Sequence, residues 1–169
     1  LSVANLVSSV GSLTANGNDT WTLISPDNFN GSIDLSYSIV NSIASETTET
    51  QSFSLAPVND APELTGIKAI LADGTEDTLY TIQSSDLLTG YSDIDGDTLS
   101  VVDLSTSNGA LISNDDGTWR LTPSKDFNGT VALTYSVSDG NGSKTKATQS
   151  FTLAPVNDAP ELTGIKAIL

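Results

Sequence analysis

The sequence predicts an all-β chain built of immunoglobulin-like β-sandwich modules in tandem, and three observations predict it. "APVNDAPELTGIKAIL" fills residues 56–71 and recurs letter for letter at 154–169, an offset of 98 (154 minus 56). Between those copies, apolar residues alternate with small polar ones at the period of a half-buried strand. Gly, Asn and Asp turn signals interrupt the alternation roughly every eight to fourteen residues, the spacing of a sandwich of short strands.

Shifting the chain by 98 aligns residues 1–71 on 99–169 without a gap, with about 40 of 71 positions identical. Trp21 falls on Trp119, Phe29 on Phe127 and Tyr37 on Tyr135. A self-similar period of this length marks a tandem array. The chain is therefore expected to hold the later strands of one module at 1–58, a complete module at 59–156, and the first strand of a third at 157–169. Starting at Leu1 without a Met, it reads as a piece of something longer.

Each element of the complete module has its own signal. Val131, Leu133, Tyr135 and Val137 alternate in "GTVALTYSVSDG", and "KATQSFTLAP" follows the turn "SDGNGS", so the two form a hairpin. "ALISNDDGTWRLTP" is a second hairpin, turning at Asp116-Gly117. Earlier strands are expected near 63–71, 78–84 and 99–106, giving seven in all. Trp119 and Tyr135 read as core residues. The first module lacks its opening strands, so an edge there needs cover from another copy or a neighbouring chain, or it frays.

Composition narrows the function. Six Lys and Arg against 21 Asp and Glu give a net charge of −15, which makes nucleic acid and anionic membrane surfaces poor partners. No run is apolar enough to span a bilayer or to act as a signal peptide. With no Cys and no His, thiolate chemistry and soft-metal sites are excluded, and no Gly-rich phosphate loop precedes a helix. Catalysis is not expected.

The acidic residues gather in predicted loops. "DIDGD" sets Asp93, Asp95 and Asp97 within five positions, where like charges about 4 Å apart repel by ~4 kcal/mol per pair when partly shielded. Alternate Asp residues with a Gly for a sharp turn suit calcium, which takes six to eight oxygens; magnesium prefers tighter octahedral sites. Glu76-Asp77, Asp126 in "KDFNG", Asp139 in "SDGNG" and Asn157-Asp158 in "VNDAP" are further oxygen donors at predicted strand ends. Asp, Asn and Gly are also what ordinary solvated turns favour, so the residues alone leave both readings open.

"QSFTLAPVNDAPELTG" resembles the linker between cadherin domains, and the whole module resembles the bacterial cadherin-like tandem repeats of giant surface adhesins, including those of the repeats-in-toxin class. Five segments carry the likeness: "NDAP" (59–62), "EDT" (76–78), "DIDGD" (93–97), "FNG" (127–129) and "YSVSDGNG" (135–142). The resemblance implies calcium clustered at module junctions. Asn59 and Asp60 would join Asp93, Asp95, Asp97 and Asp139 of the following module, with Asp27 as donor from the preceding one. At the next junction Glu76, Asp77 and Asp126 would approach Asn157 and Asp158. Two positions depart from the pattern: Asn41-Ser42 stands where Asp139-Gly140 does, and Ala56-Pro57 where cadherins usually carry an acidic residue before the Asn.

The function this implies is mechanical: a calcium-rigidified extender repeat of a long extracellular bacterial adhesin or biofilm-matrix fibre, at the cell surface or in secreted matrix. Its partners would be neighbouring copies, head to tail, with strand complementation between chains. The alternative is a calcium-dependent carbohydrate-binding module that recognises polysaccharide.

Overall fold

Period-two alternation builds one strand framework twice, offset by 98 residues. In the computed structural model, which describes residues 1–43 and 45–160, the first copy is β1 (Ser2–Ser8), β2 (Ser12–Ala15), β3 (Trp21–Ile24), β4 (Gly31–Val40) and β5 (Glu46–Leu55). β4 pairs antiparallel with β1 on one side and β5 on the other, while β2 and β3 form a separate hairpin. The chain divides into two units between Asn59 and Asp60.

The second unit opens with elements that have no counterpart in the first. They are β6 (Glu63–Leu64), β7 (Gly74–Thr75), β8 (Tyr80–Gln83), α1 (Ser84–Leu88) and β9 (Tyr91–Ser92). The shared framework follows as β10 (Ser100–Thr106), β11 (Ala110–Ser113), β12 (Thr118–Thr122), β13 (Gly129–Ser138) and β14 (Lys144–Ala154). β10, β13, β14 and β7 make one sheet, and β11, β12 and β8 make another. Ile82 of β8, Leu87 of α1, Leu121 of β12 and Val131, Leu133, Tyr135, Phe151 and Leu153 of β13 and β14 form one buried cluster. This is a sandwich core in which each fully buried aliphatic side chain contributes about 1.5–3 kcal/mol. Trp119 is partly buried against the same cluster. Tyr135 keeps its hydroxyl satisfied by donating to Leu87 O at 2.9 Å. Burial, reinforced by Tyr91, pushes its pKa up to about 12.

The two hairpins form as expected. The β11–β12 turn is closed by Asp116, which accepts from Thr118 N at 3.0 Å and Thr118 Oγ1 at 2.6 Å, bonds that hold its carboxyl below the usual range.

Three expectations need correction. The expected strand at 63–71 pairs only at Glu63–Leu64. Beyond it, Thr65 N and Gly66 N both donate to Gly90 O, and Gly66 and Gly90 approach so closely that a Cβ on Gly66 would lie 3.1 Å from Gly90 Cα. Side chains then hold the segment on β14: Lys68 Nζ donates to Thr148 O at 3.0 Å, Gln149 Nε2 donates to Ala69 O, and Leu71 enters the core. The strand expected at 78–84 ends at Gln83 and gives way to the short helix α1, which seats Leu87 in the core. The seven expected strands are nine here, because β6, β7 and β9 are two-residue pieces, and β7 joins β14 in parallel. The expected third-module strand lies, from residue 161 on, outside the described residues.

A repeated bulge shows how closely the copies match. β1 and β10 both shift register at the same place, with Asn5 and Asp103 in left-handed backbone at φ 54° and 56°. Asp103 pairs with Lys144 at 3.2 Å, and at the corresponding positions Asn5 donates to Glu46 at 3.1 Å.

Candidate metal centre

Among the described residues, two groups of three carboxylates converge in the second unit, each with ligand atoms within 4.8 Å of one another: Asp93, Asp95 and Asp97, and Asp77, Asp126 and Asp158. The first lies on the loop between β9 and β10. Asp93 Oδ1 accepts from Asp95 N at 2.8 Å and Asp93 O from Gly96 N at 3.3 Å, so the loop folds on its own first aspartate. Gly96 holds φ 79° with no atom within 4 Å of where its Cβ would be, so backbone conformation, not space, requires glycine there. Asp95 Oδ2 accepts from Asp60 N at 2.8 Å, fastening the loop to the linker.

The remaining oxygens decide what this loop suits. Asp93 Oδ2 and Asp97 Oδ2 are buried without a hydrogen-bond partner. A buried carboxylate oxygen left unpaired is costly, and two beside each other more so. The donor set is oxygen only, which fits a hard divalent cation and not a thiolate- or imidazole-seeking one.

The second group is assembled by β7. Its parallel pairing sets Gly74 and Thr75 against Leu153 and Ala154, and Glu76 N then donates to Ala154 O at 3.0 Å. Glu76 is buried at 3% exposure. Its Oε1 accepts from Val156 N at 2.7 Å and its Oε2 from Asn128 Nδ2 at 3.1 Å. One carboxylate thus ties "EDT" both to the exit linker and to the "FNG" turn, which draws Asp77, Asp126 and Asp158 together. Asp126 N donates to Asp77 Oδ1 at 3.3 Å, and both residues adopt left-handed backbone, at φ 59° and 56°. Asp and Asn tolerate that region better than other non-glycine residues. Lys125 lies 3.4 Å from Asp126 at the exposed rim.

The other candidates fall elsewhere. Asp139 is buried, and its Oδ1 accepts from the amides of Asn141, Gly142 and Ser143, so its carboxylate closes the β13–β14 turn. It belongs to neither group of three. Asn157 Nδ2 donates to Asp158 O at 3.4 Å. Asn59 is exposed. Asp27, in the first unit, is exposed and occupies the position of Lys125; Asn28 occupies that of Asp126 and repeats its left-handed backbone, φ 58°. Sequence reasoning passed over Asn28 and Asn128, although the 98-residue alignment sets Asn28 on Asp126.

The family model of the cadherin-like domain matches twice, over residues 1–56 and 58–154. The chain belongs to the cadherin-like domain family. No curated protein matches this cadherin-like chain. Solved structures similar to it include two endo-fucoidan hydrolases of glycoside hydrolase family 107. A point variant of MfFcnA4 shares 20% identity at a TM-score of 0.40, over 90% of this chain and 24% of its own. MfFcnA9 shares 18% at 0.35, over 89% and 28%. The cadherin-like chain thus spans about a quarter of the length of those structures, and at such scores the likeness has no bearing on activity here.

Proposed function

We propose that this cadherin-like chain is a calcium-rigidified extender of a long extracellular bacterial adhesin or biofilm-matrix fibre, and that its work is mechanical rather than catalytic. The observation that carries the reading is the pair of orphaned buried oxygens, Asp93 Oδ2 and Asp97 Oδ2, in a loop that also holds the linker through Asp60 N. Calcium would be held there by Asp93, Asp95 and Asp97, and in the second group by Asp77, Asp126 and Asp158. When bound it supplies positive charge where like charges converge. The chain's own residues do the rest: Glu76 fixes the exit linker, Asp95 fixes the entry linker, and Asp139 fixes the adjoining turn.

Both groups lie beside a copy of "VNDAP", so both act where one module passes into the next. Loops of this kind in extracellular modules bind calcium at about 10⁻⁴–10⁻³ M, a range filled outside cells and not in cytosol. Native mass spectrometry with calcium titration tests the reading. At least two ions should bind per chain; the pair Asp93→Asn with Asp97→Asn should remove one and the pair Asp77→Asn with Asp126→Asn another. No binding at millimolar calcium would overturn it.

A further inference from the structure

The chain enters the second unit at Asp60, and β14 carries it out toward the linker at Val156. The first stretch after entry to share a ladder with β14 is β7, where Gly74 and Thr75 pair in parallel with Leu153 and Ala154. Bonds on either side extend that ladder. Thr152 N donates to Asp73 Oδ1 at 2.8 Å, Glu76 N donates to Ala154 O at 3.0 Å, and Val156 N donates to Glu76 Oε1 at 2.7 Å. Residues 73–76 are thus bonded to 152–156 along their whole length. Glu76 is 3% exposed, so water has little access to compete for its bonds. The approach is close enough to require glycine: a Cβ on Gly74 would lie 2.9 Å from Tyr80 Cδ2 and 3.0 Å from Leu153 Cδ2.

Tension along the chain pulls β7 back toward its N-terminal end and β14 forward toward its C-terminal end. In a parallel pair those pulls are opposed along one axis, so the bonds of 73–76 are loaded together in shear. An antiparallel pair would open one bond at a time. Residues 60–72 are held otherwise. β6 pairs with β9 over two residues, and Thr65 N and Gly66 N share Gly90 O. Beyond them Lys68, Gln149 and Tyr80 each contribute one side-chain bond to a backbone carbonyl. Ile67 and Ile70, 90% and 96% exposed, add little packing. These contacts follow one another along the chain, so a pull from the entry end takes them in turn. We propose that 73–76 on 152–156 is the load-bearing clamp of the module, and that 60–72 is a strap that yields before it, paying out up to about 45 Å of chain. A clamp serves a chain that bears tension, and in that it rests on the extender role proposed above; its bonds use no cation.

Single-molecule force spectroscopy tests this on the full chain, which has no native cysteine. Handles on Val58→Cys and Ala159→Cys, both exposed positions, make tension cross the second unit alone. Under constant load the unit should open in two steps, a short one of the strap's length and then one release of everything after it. Glu76→Ala should raise the rate of the second step at least about tenfold, the loss of a buried bond expressed as a rate. Asp73→Ala, at an exposed position that threatens the fold less, should raise it too. Leu111→Ala thins core packing away from the clamp. It should lower the melting temperature yet leave the loaded rate within about twofold, because its contacts persist while the clamp breaks. Equal acceleration by Glu76→Ala and Leu111→Ala would make Glu76 merely structural and overturn the clamp. Opening of strap and unit in a single step would overturn the strap. Both steps, and the Glu76→Ala effect, should appear in chelator as in calcium. A clamp present only in calcium would place the load on the acidic group and overturn the assignment, whereas failure of calcium to bind would leave it standing.

Discussion

At Asp93 one side chain does two opposed things. Its Oδ1 closes the loop by accepting from Asp95 N, and its Oδ2, like Asp97 Oδ2, is buried without a partner. Asp93→Asn retains the first function in weaker form, because an amide oxygen still accepts, and removes the charge from the second. With ligand atoms within 4.8 Å, each relieved repulsion amounts to about 1–3 kcal/mol, depending on shielding. In chelator, Asp93→Asn should therefore melt higher than the parent. In calcium the order should reverse, since the parent gains binding free energy and the variant gains little. Thermal unfolding in both buffers checks this, and the same order in both would refute it. The bulge residues show the same logic of local charge. Where the second unit pairs Asp103 with Lys144, the first pairs Asn5 with Glu46, so both partners differ and the contact persists.

At the scale of elements, β5 and β14 are near-copies that differ in what packs on them. Phe151 lies between β14 and Tyr80 in the closed core, so Phe151→Ala should lower the stability of the second unit by about 3–5 kcal/mol. Phe53→Ala removes a ring that is already 40% exposed and should cost about 1 kcal/mol or less in dilute solution. Calorimetry of the two variants measures the difference, and equal losses would mean that the first unit has cover this structure does not show. The framework strands were legible because Val131, Leu133, Tyr135 and Val137 alternate cleanly and Gly-Asn turns bound them. β7 and α1 were not legible, because two residues of parallel pairing and five of helix leave no periodic trace. Residues 65–71 are apolar enough to suggest a strand, yet the side chains of Lys68 and of Gln149 in β14 tie them to that strand in place of a ladder. Of the acidic groups, "DIDGD" was legible as a unit. The meeting of Asp77, Asp126 and Asp158 depends on Glu76 being buried under the exit linker, which no spacing encodes.

For the whole molecule the question is what chelation changes. The buried apolar cluster of the second unit runs from Leu71 through Leu153, and the sandwich is expected to persist on that packing when the ion is removed. The acidic groups, by contrast, sit beside the linkers: Asp95 holds Asp60 N, and Asp158 is itself a linker residue. If calcium fills these groups as proposed, its removal would leave three carboxylates within 4.8 Å in each, and their repulsion is expected to act on the linker more than on the core. In a chain of three or more modules, chelator should shorten the maximum dimension measured by small-angle scattering, while far-UV circular dichroism stays unchanged. Asp95→Asn removes one of those charges and weakens the acceptor of Asp60 N, so in calcium it should reproduce part of the shortening. Asp116→Asn should not, because among the described residues Asp116 accepts from Thr118 within its own hairpin turn. Added magnesium should restore little of the dimension, given its preference for small octahedral sites with retained water. An unchanged dimension in chelator would refute stiffening by calcium even if the ion binds. Loss of the β signal would place calcium in the folding of the module, against the apolar core seen here.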